Sequence, residues 1–223
     1  MTTRYPTFFP DRVNLWHGDR GFTQVGHEAG DYISLGTPVT LDADGIIAAK
    51  TMDAAGNYTY GQFATAYTHS VMGRYGRNVS VVGLLTAGSA NVFTVTGLDY
   101  LNQPVVETIA ASGVTAGNGK KAFAKVTKIA WTASSAGATF NVGWGDVLGL
   151  PYKATALIDD LEDDLAPTAG TFVAAVTTDP ATATTGDPRG TYAPNSATNG
   201  ALEFKVRLKI DQDKVYGVQQ YNV

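Results

Sequence analysis

An all-β fold, either an antiparallel β-sandwich or a jelly-roll-like barrel, is what this sequence predicts, and three observations carry the prediction. From Asp31 onward, short runs rich in β-branched and aromatic residues recur between Gly, Asp, Asn and Pro, at the roughly 8 to 12 residue spacing of sandwiches and barrels. Several runs alternate apolar with polar residues, the period of a half-buried strand. Only one segment spaces its apolar residues like a helix. A chain of 223 residues can bury a core several layers deep, so the expected organisation is an extended arm over residues 1–28 and a single β-rich domain over 29–223.

The arm comes first. Tyr5, Pro6, Phe8, Phe9, Pro10, Trp16 and Phe22 crowd it without either strand or helix periodicity. Leaving a large apolar side chain in water forgoes roughly 1.5 to 3 kcal/mol. These aromatics are therefore expected to dock, with Phe8, Phe9 and Trp16 contacting a partner, or else to cap the open end of their own domain.

In the domain, "DYISL", "TPVTL", "DADG" and "IIAAK" predict a hairpin with Asp44-Gly45 at its tip. The run "NVSVVGLLT" at 78–86 is almost wholly apolar, as a strand buried on both faces should be. In "NVFTVTGL" at 91–98, Phe93 and Val95 alternate with Val92, Thr94 and Thr96. The segments "QPVVETIAAS", "KAFAKVTKIAW" and "ATFNVGWGD" continue the strand pattern. Strict alternation through "KAFAKVTKIAW" would put Phe123, Lys125, Thr127, Ile129 and Trp131 on one side. Neither side is then purely apolar, which suggests a strand at a subunit contact.

The helix-like segment is "ATALIDDLEDDLAP" at 154–167. Leu157, Ile158, Leu161 and Leu165 recur at helical spacing and Pro167 ends the run, but five crowded acids repel one another, so a short helix or a loop is expected. An excursion over 179–200 follows, opening with "DPATATTGDPRGTYAP". Its small residues build no core, and Pro188 stiffens the neighbourhood of Arg189. We expect a long C-terminal inter-subunit loop with Arg189 as polar anchor and Tyr192 beside it. The final strand at 201–210, "ALEFKVRLKI", points Leu202, Phe204, Val206, Leu208 and Ile210 inward and Glu203, Lys205, Arg207 and Lys209 outward.

Composition narrows the function. Charged residues are 16% of the chain, well below the usual quarter, which fits a surface that faces protein. The net charge is −4 with scattered Lys and Arg, so no nucleic-acid partner is expected. No apolar run reaches the roughly 20 residues that span a bilayer, and the N-terminal region has no signal-peptide core, so no membrane association and no secretory route are expected. With no cysteine, disulfides and thiolate metal sites are excluded.

Catalytic motifs are scarce. His17, His27 and His69 lie beside no nucleophile motif, and neither G-x-S-x-G nor H-E-x-x-H occurs. "GVTAGNGKK" at 113–121 misses the P-loop spacing and is expected to be a hairpin tip; "LDADG" lacks the oxygen ligands of a calcium loop and is expected to be a turn. "DDLEDD" can gather a hard cation but reads first as a solvated acidic face. No enzyme activity, cofactor or metal is expected. "GDRGF" at 18–22 and "GDPRG" at 186–190 each frame an acid and an arginine with glycines, and the second is read as a pairing site.

Taken together, "NVSVVGLLT…NVFTVTGLDYLNQPVVETIAASG", "GKKAFAKVTKIAW", "FNVGWGDVLGLPYK" and "DPATATTGDPRGTYAP…NGALEFKVRLKI" resemble a family of tailed-bacteriophage proteins that decorate or cement the capsid. The resemblance covers about residues 78–210. It implies a non-enzymatic virion protein, made in the host cytoplasm and placed on the outer capsid surface, with the major capsid protein and copies of itself, commonly as trimers, for partners. The alternatives are a carbohydrate-binding β-sandwich for host attachment, with Tyr58, Tyr60, Tyr67 and Tyr75 as stacking platforms, and a tail or head-fibre component.

Overall fold

The computed structural model describes residues 27–28, 32–51, 54–84, 90–112, 115–132 and 139–220. All but the last two residues of the expected arm, Phe8, Phe9 and Trp16 included, lie outside the described residues. Among the described residues there is no α-helix; two single-turn 3-10 segments, Tyr60–Gln62 and His69–Met72, interrupt a chain of strands.

The 11-residue strand β10 (Thr139–Gly149) organises the molecule. One of its edges pairs with β5 (Arg77–Leu84), and the other pairs with β3 (Asp42–Thr51) near its start and with β13 (Thr191–Ala193) at its end. Beyond them, β12 (Thr171–Val173) and β8 (Gly117–Asn118) complete a 6-stranded sheet. A second sheet runs in the order β4 (Gly56–Thr59), β9 (Lys125–Trp131), β6 (Ala90–Leu98), β7 (Pro104–Ser112). In the third, β14 (Phe204–Ile210) lies between β11 (Ala154–Glu162) and the short β1 (His27–Glu28) and β2 (Ile33–Gly36). All of these strand pairings are antiparallel, as a sandwich built from hairpins requires.

Between the first two sheets lies the larger core. Phe140, Val142 and Trp144 of β10, with Val79 and Val81 of β5, meet Phe93, Val95, Val126 and Ile129 of the opposing sheet. Phe140 is the hinge of the aromatic packing, with ring centroids 4.9 Å from Phe93 and 5.1 Å from Trp131. A register shift between Trp144 and Leu148 then changes which neighbours β10 serves. Past it, Leu148 and Leu150 enter a second core with Leu35, Tyr192, Phe204, Val206 and Leu208. One strand thus belongs to both cores.

The final strand behaves as its alternation predicts, with Phe204, Val206 and Leu208 buried and Leu202 and Ile210 half-buried. The expected β5 and β6 patterns also hold: Val79 and Val81 are buried, as are Phe93 and Val95.

Other expectations are corrected. The acidic segment is neither helix nor loop over 154–162 but strand β11. Its pairing with β14 carries irregularities at Thr155 and Ile158, where one extra residue is accommodated each time. Each bulge stretches a period of two to three. Ala154, Leu157 and Asp160 therefore face the partners Ile210, Leu208 and Val206 in turn, a spacing of three within a twice-bulged strand, while Ile158 and Leu165 from the helix-like pattern stay exposed. The acids are also relieved by β14, since Lys205 lies 2.6 Å from Asp164 and Arg207 3.9 Å from Asp159.

A bulge likewise explains β9. The register shift opposite Thr96 and Gly97 lets Val126 and Ile129 both point inward, so the strand has a consistent core face and needs no subunit contact to explain its pattern. Asp44-Gly45 is not a hairpin tip but part of β3, where the ring of Trp144 packs so closely on Gly45 that a Cβ would overlap it. Residues 117–121 do not protrude as a tip either, because β8 pairs with β5 and the Gly119 N–H donates to the Val79 carbonyl at 2.8 Å.

Candidate functional site

The excursion that the sequence marks out is built around one turn. Asp187, Pro188, Arg189 and Gly190 carry the signature of a type I turn, with Asp first, Pro second and Gly fourth. The Gly190 N–H donates to the Asp187 carbonyl at 3.2 Å, and the Arg189 N–H donates to Asp187 Oδ1 at 2.8 Å. Gly190 has φ +88°, and a Cβ there would collide with the Val173 carbonyl, so glycine is required on both counts. Asp187 Oδ2 in turn accepts the Ala122 N–H at 3.0 Å.

This turn aims Arg189 into the protein. The side chain is 1% exposed. Its Nη1 meets Asp99 Oδ2 at 3.0 Å, its Nε donates to the Leu150 carbonyl at 3.2 Å, and the guanidinium lies 5.0 Å from the Tyr100 ring centroid. Asp99 Oδ1 accepts the N–H groups of Leu101 and Gln103, each at 2.8 Å, and so shapes the loop joining β6 to β7. Tyr192 is buried as well, and its hydroxyl donates to Asp160 Oδ2 at 2.6 Å. Burial first, then that hydrogen bond, pushes the phenol well above its ordinary range.

Arg189 and Tyr192, expected as partner contacts, are both buried in the single chain, where both fasten the excursion to its own domain. The pairing role read from "GDPRG" is met internally, by Asp99 rather than by Asp187.

A second buried arginine repeats the device. Arg77 is fully buried and donates from Nε to the Gly145 carbonyl and from Nη1 to the Val39 carbonyl, each at 2.7 Å; Nη2 donates to Asp146 Oδ1 at 3.0 Å and to Thr198 Oγ1 at 3.2 Å. Burial pulls its pKa down to about 10, and the adjacent Asp146 carboxylate resists the fall. A third cluster holds Glu107, Lys121 and Gln220, with Lys121 Nζ 3.3 Å from Gln220 Oε1. The sequence reading missed these groups. Their only signal is a charged residue set inside or beside an apolar strand, Glu107 within "PVVETIAAS" and Arg77 before "NVSVVGLL".

Of the histidines, His17 lies outside the described residues, as does the side chain of His27. His69 stacks on Tyr60 at 4.5 Å and approaches the Tyr67 hydroxyl at 3.4 Å. Among the described residues, no group of three or more His, Cys, Asp or Glu is placed to hold a metal, and no helix is long and apolar enough to cross a membrane. The tyrosine platforms are divided: Tyr67 is buried, with its hydroxyl accepting the Val126 N–H at 2.7 Å, Tyr58 and Tyr75 are half-buried, and Tyr60 is exposed.

Some large apolar side chains remain outward. Leu165 is 72% exposed and Val173 52%, the latter on β12, which ends the largest sheet and, among the described residues, pairs on one side only. Such an edge offers free backbone groups and apolar side chains together. Against known protein families, characterised proteins and solved structures, the chain gives no match.

Proposed function

We propose that this chain is a structural virion protein that decorates and stabilises the outer surface of a tailed-phage capsid as a homo-oligomer, with the major capsid protein as its partner. The observation that carries the reading is the inversion of charge and apolarity: Arg77 and Arg189 are turned inward with carboxylate partners, while Leu165, just past β11, and Val173, on β12, stay outside. A sparsely charged surface with exposed apolar side chains suits a protein that spends its working life against other protein. Rigid internal anchoring suits the same task, because a shell accessory gains strength from many modest contacts repeated by symmetry and needs each copy preorganised. The resemblance of residues 78–210 to capsid decoration proteins is in keeping with the same reading.

Light scattering on the purified chain, followed by its addition to expanded capsids that lack their accessory protein, tests the proposal. The expected result is a defined homo-oligomer that saturates the shell at a fixed ratio and raises its disassembly temperature. A monomer that leaves such shells unoccupied would overturn it.

A further inference from the structure

A cleft of about 440 Å³ opens where the loop between β6 and β7 faces the C-terminal segment, and Gln103, Pro104, Tyr216, Val218, Gln219 and Gln220 line it. Among the described residues, none that line it is charged. Tyr216 is 56% exposed and tilted against Tyr152, ring centroids 5.9 Å apart, so one aromatic face is available at the mouth. Gln103 and Gln219 are exposed, and each carboxamide offers both donors and an acceptor.

Gln220 is 3% exposed, and its Oε1 accepts from the Lys121 ammonium, a group with donors only, which fixes the orientation of the amide. The Gln220 Nε2 is thereby left without an acceptor among the described residues. The wall is rigid: the Lys153 N–H donates to the Val215 carbonyl at 2.7 Å, the Ala181 N–H to the Gln219 carbonyl at 2.9 Å, and Gly217, at φ +86°, backs directly onto the Pro188 carbonyl. Preformed clefts of this kind are where small ligands bind.

We propose that this cleft is a binding site for a neutral saccharide. A sugar presents a flat C–H face, which an exposed aromatic ring can cover, and vicinal hydroxyls, which planar carboxamides match as paired donors and acceptors. An anionic ligand would find no cation among the lining residues. A wholly apolar ligand would desolvate the two exposed carboxamides, Gln103 and Gln219, without pairing them. The site is independent of the capsid role and adds to it a surface function on the assembled particle.

Saturation-transfer NMR on the full chain, with glucose, galactose, mannose, N-acetylglucosamine and their short oligomers as probes and glucuronate as the charged comparator, tests the assignment. At least one neutral sugar is expected to bind and to shift the side-chain amide signals of Gln103 and Gln219. Tyr216→Ala should weaken that binding about five- to tenfold, the worth of one aromatic contact. Gln103→Ala, on a loop remote in sequence, should weaken it independently, and Tyr60→Ala should leave it unchanged. Absence of binding across the panel, a preference for glucuronate, persistence in Tyr216→Ala, or loss in Tyr60→Ala would each overturn the proposal. Shell occupancy measured on the same variants is expected to be unaltered, so failure here and failure of the decoration role are read separately.

Discussion

Arg189 and Asp99 lie 90 residues apart in the chain and meet as a buried ion pair at 3.0 Å, joining the excursion to the loop between β6 and β7. The pair is a fastening whose loss would strand a charge in the interior. Arg189→Met is expected to lower unfolding stability by about 3 to 5 kcal/mol, because it leaves Asp99 buried without its partner. Adding Asp99→Asn should restore much of the loss, since the amide oxygen can still hold the Leu101 and Gln103 N–H groups. Urea unfolding of both single variants and the double variant measures this coupling, and a wild-type midpoint for Arg189→Met would refute it.

Glu107 makes stability depend on pH in a fixed direction. Burial pushes its carboxyl from 4.5 up to about 7, opposed by the Lys120 and Lys121 N–H groups and the Lys121 charge, and abetted by Asp187. The folded state then binds the proton more tightly than the unfolded chain, so this contribution is full below pH 4.5 and is lost as pH rises through 7. The whole interval is worth on the order of 3 kcal/mol. Glu203 and Asp211, whose carboxyls are held low by Ser34 and Lys153, slope the other way, so the difference between proteins is the informative quantity. Subtracting the stability profile of Glu107→Gln from that of the native chain should leave a curve falling with pH across this interval; a flat difference would sink the idea.

Tyr192→Phe deletes the hydroxyl that donates to Asp160 Oδ2, while the same oxygen keeps the Gly170 N–H at 3.0 Å. With that second partner retained, the expected cost is about 1 kcal/mol. It should appear as a lower urea midpoint with an unchanged slope. A loss several times larger would mean that Asp160 depends on Tyr192 alone.

Gly45→Ala sets a methyl group into the ring of Trp144, whose Nε1 donates to the Thr40 carbonyl at 3.1 Å. Because interiors are close-packed, the ring must move or the strand must part from it. The indole N–H signal of Trp144 is expected to lose its protection from solvent exchange, and an unperturbed signal would count against the packing described.

Period two is easy to read where a strand is regular, and β6 and β14 could be placed with their core residues from the sequence alone. Bulges defeated the reading of β9 and β11, since one inserted residue moves every later side chain to the opposite face and nothing in the local composition of Thr155 or Ile158 announces it. The turn at Asp187-Pro188-Arg189-Gly190 was legible from its residue types, but the destination of Arg189 was not. Its partner comes from a hairpin loop 90 residues earlier, and pairing at that range is a property of the tertiary fold. Tyr216 escaped notice for a related reason: its neighbours across the cleft belong to a different part of the chain.

The place of β10 in both cores has a consequence for anyone who would dissect this molecule. A cut on either side of the strand strips one half of the wall against which it packs, so neither fragment should be autonomous, and split halves should regain order only when mixed. Calorimetry of the intact chain should accordingly register a single endotherm.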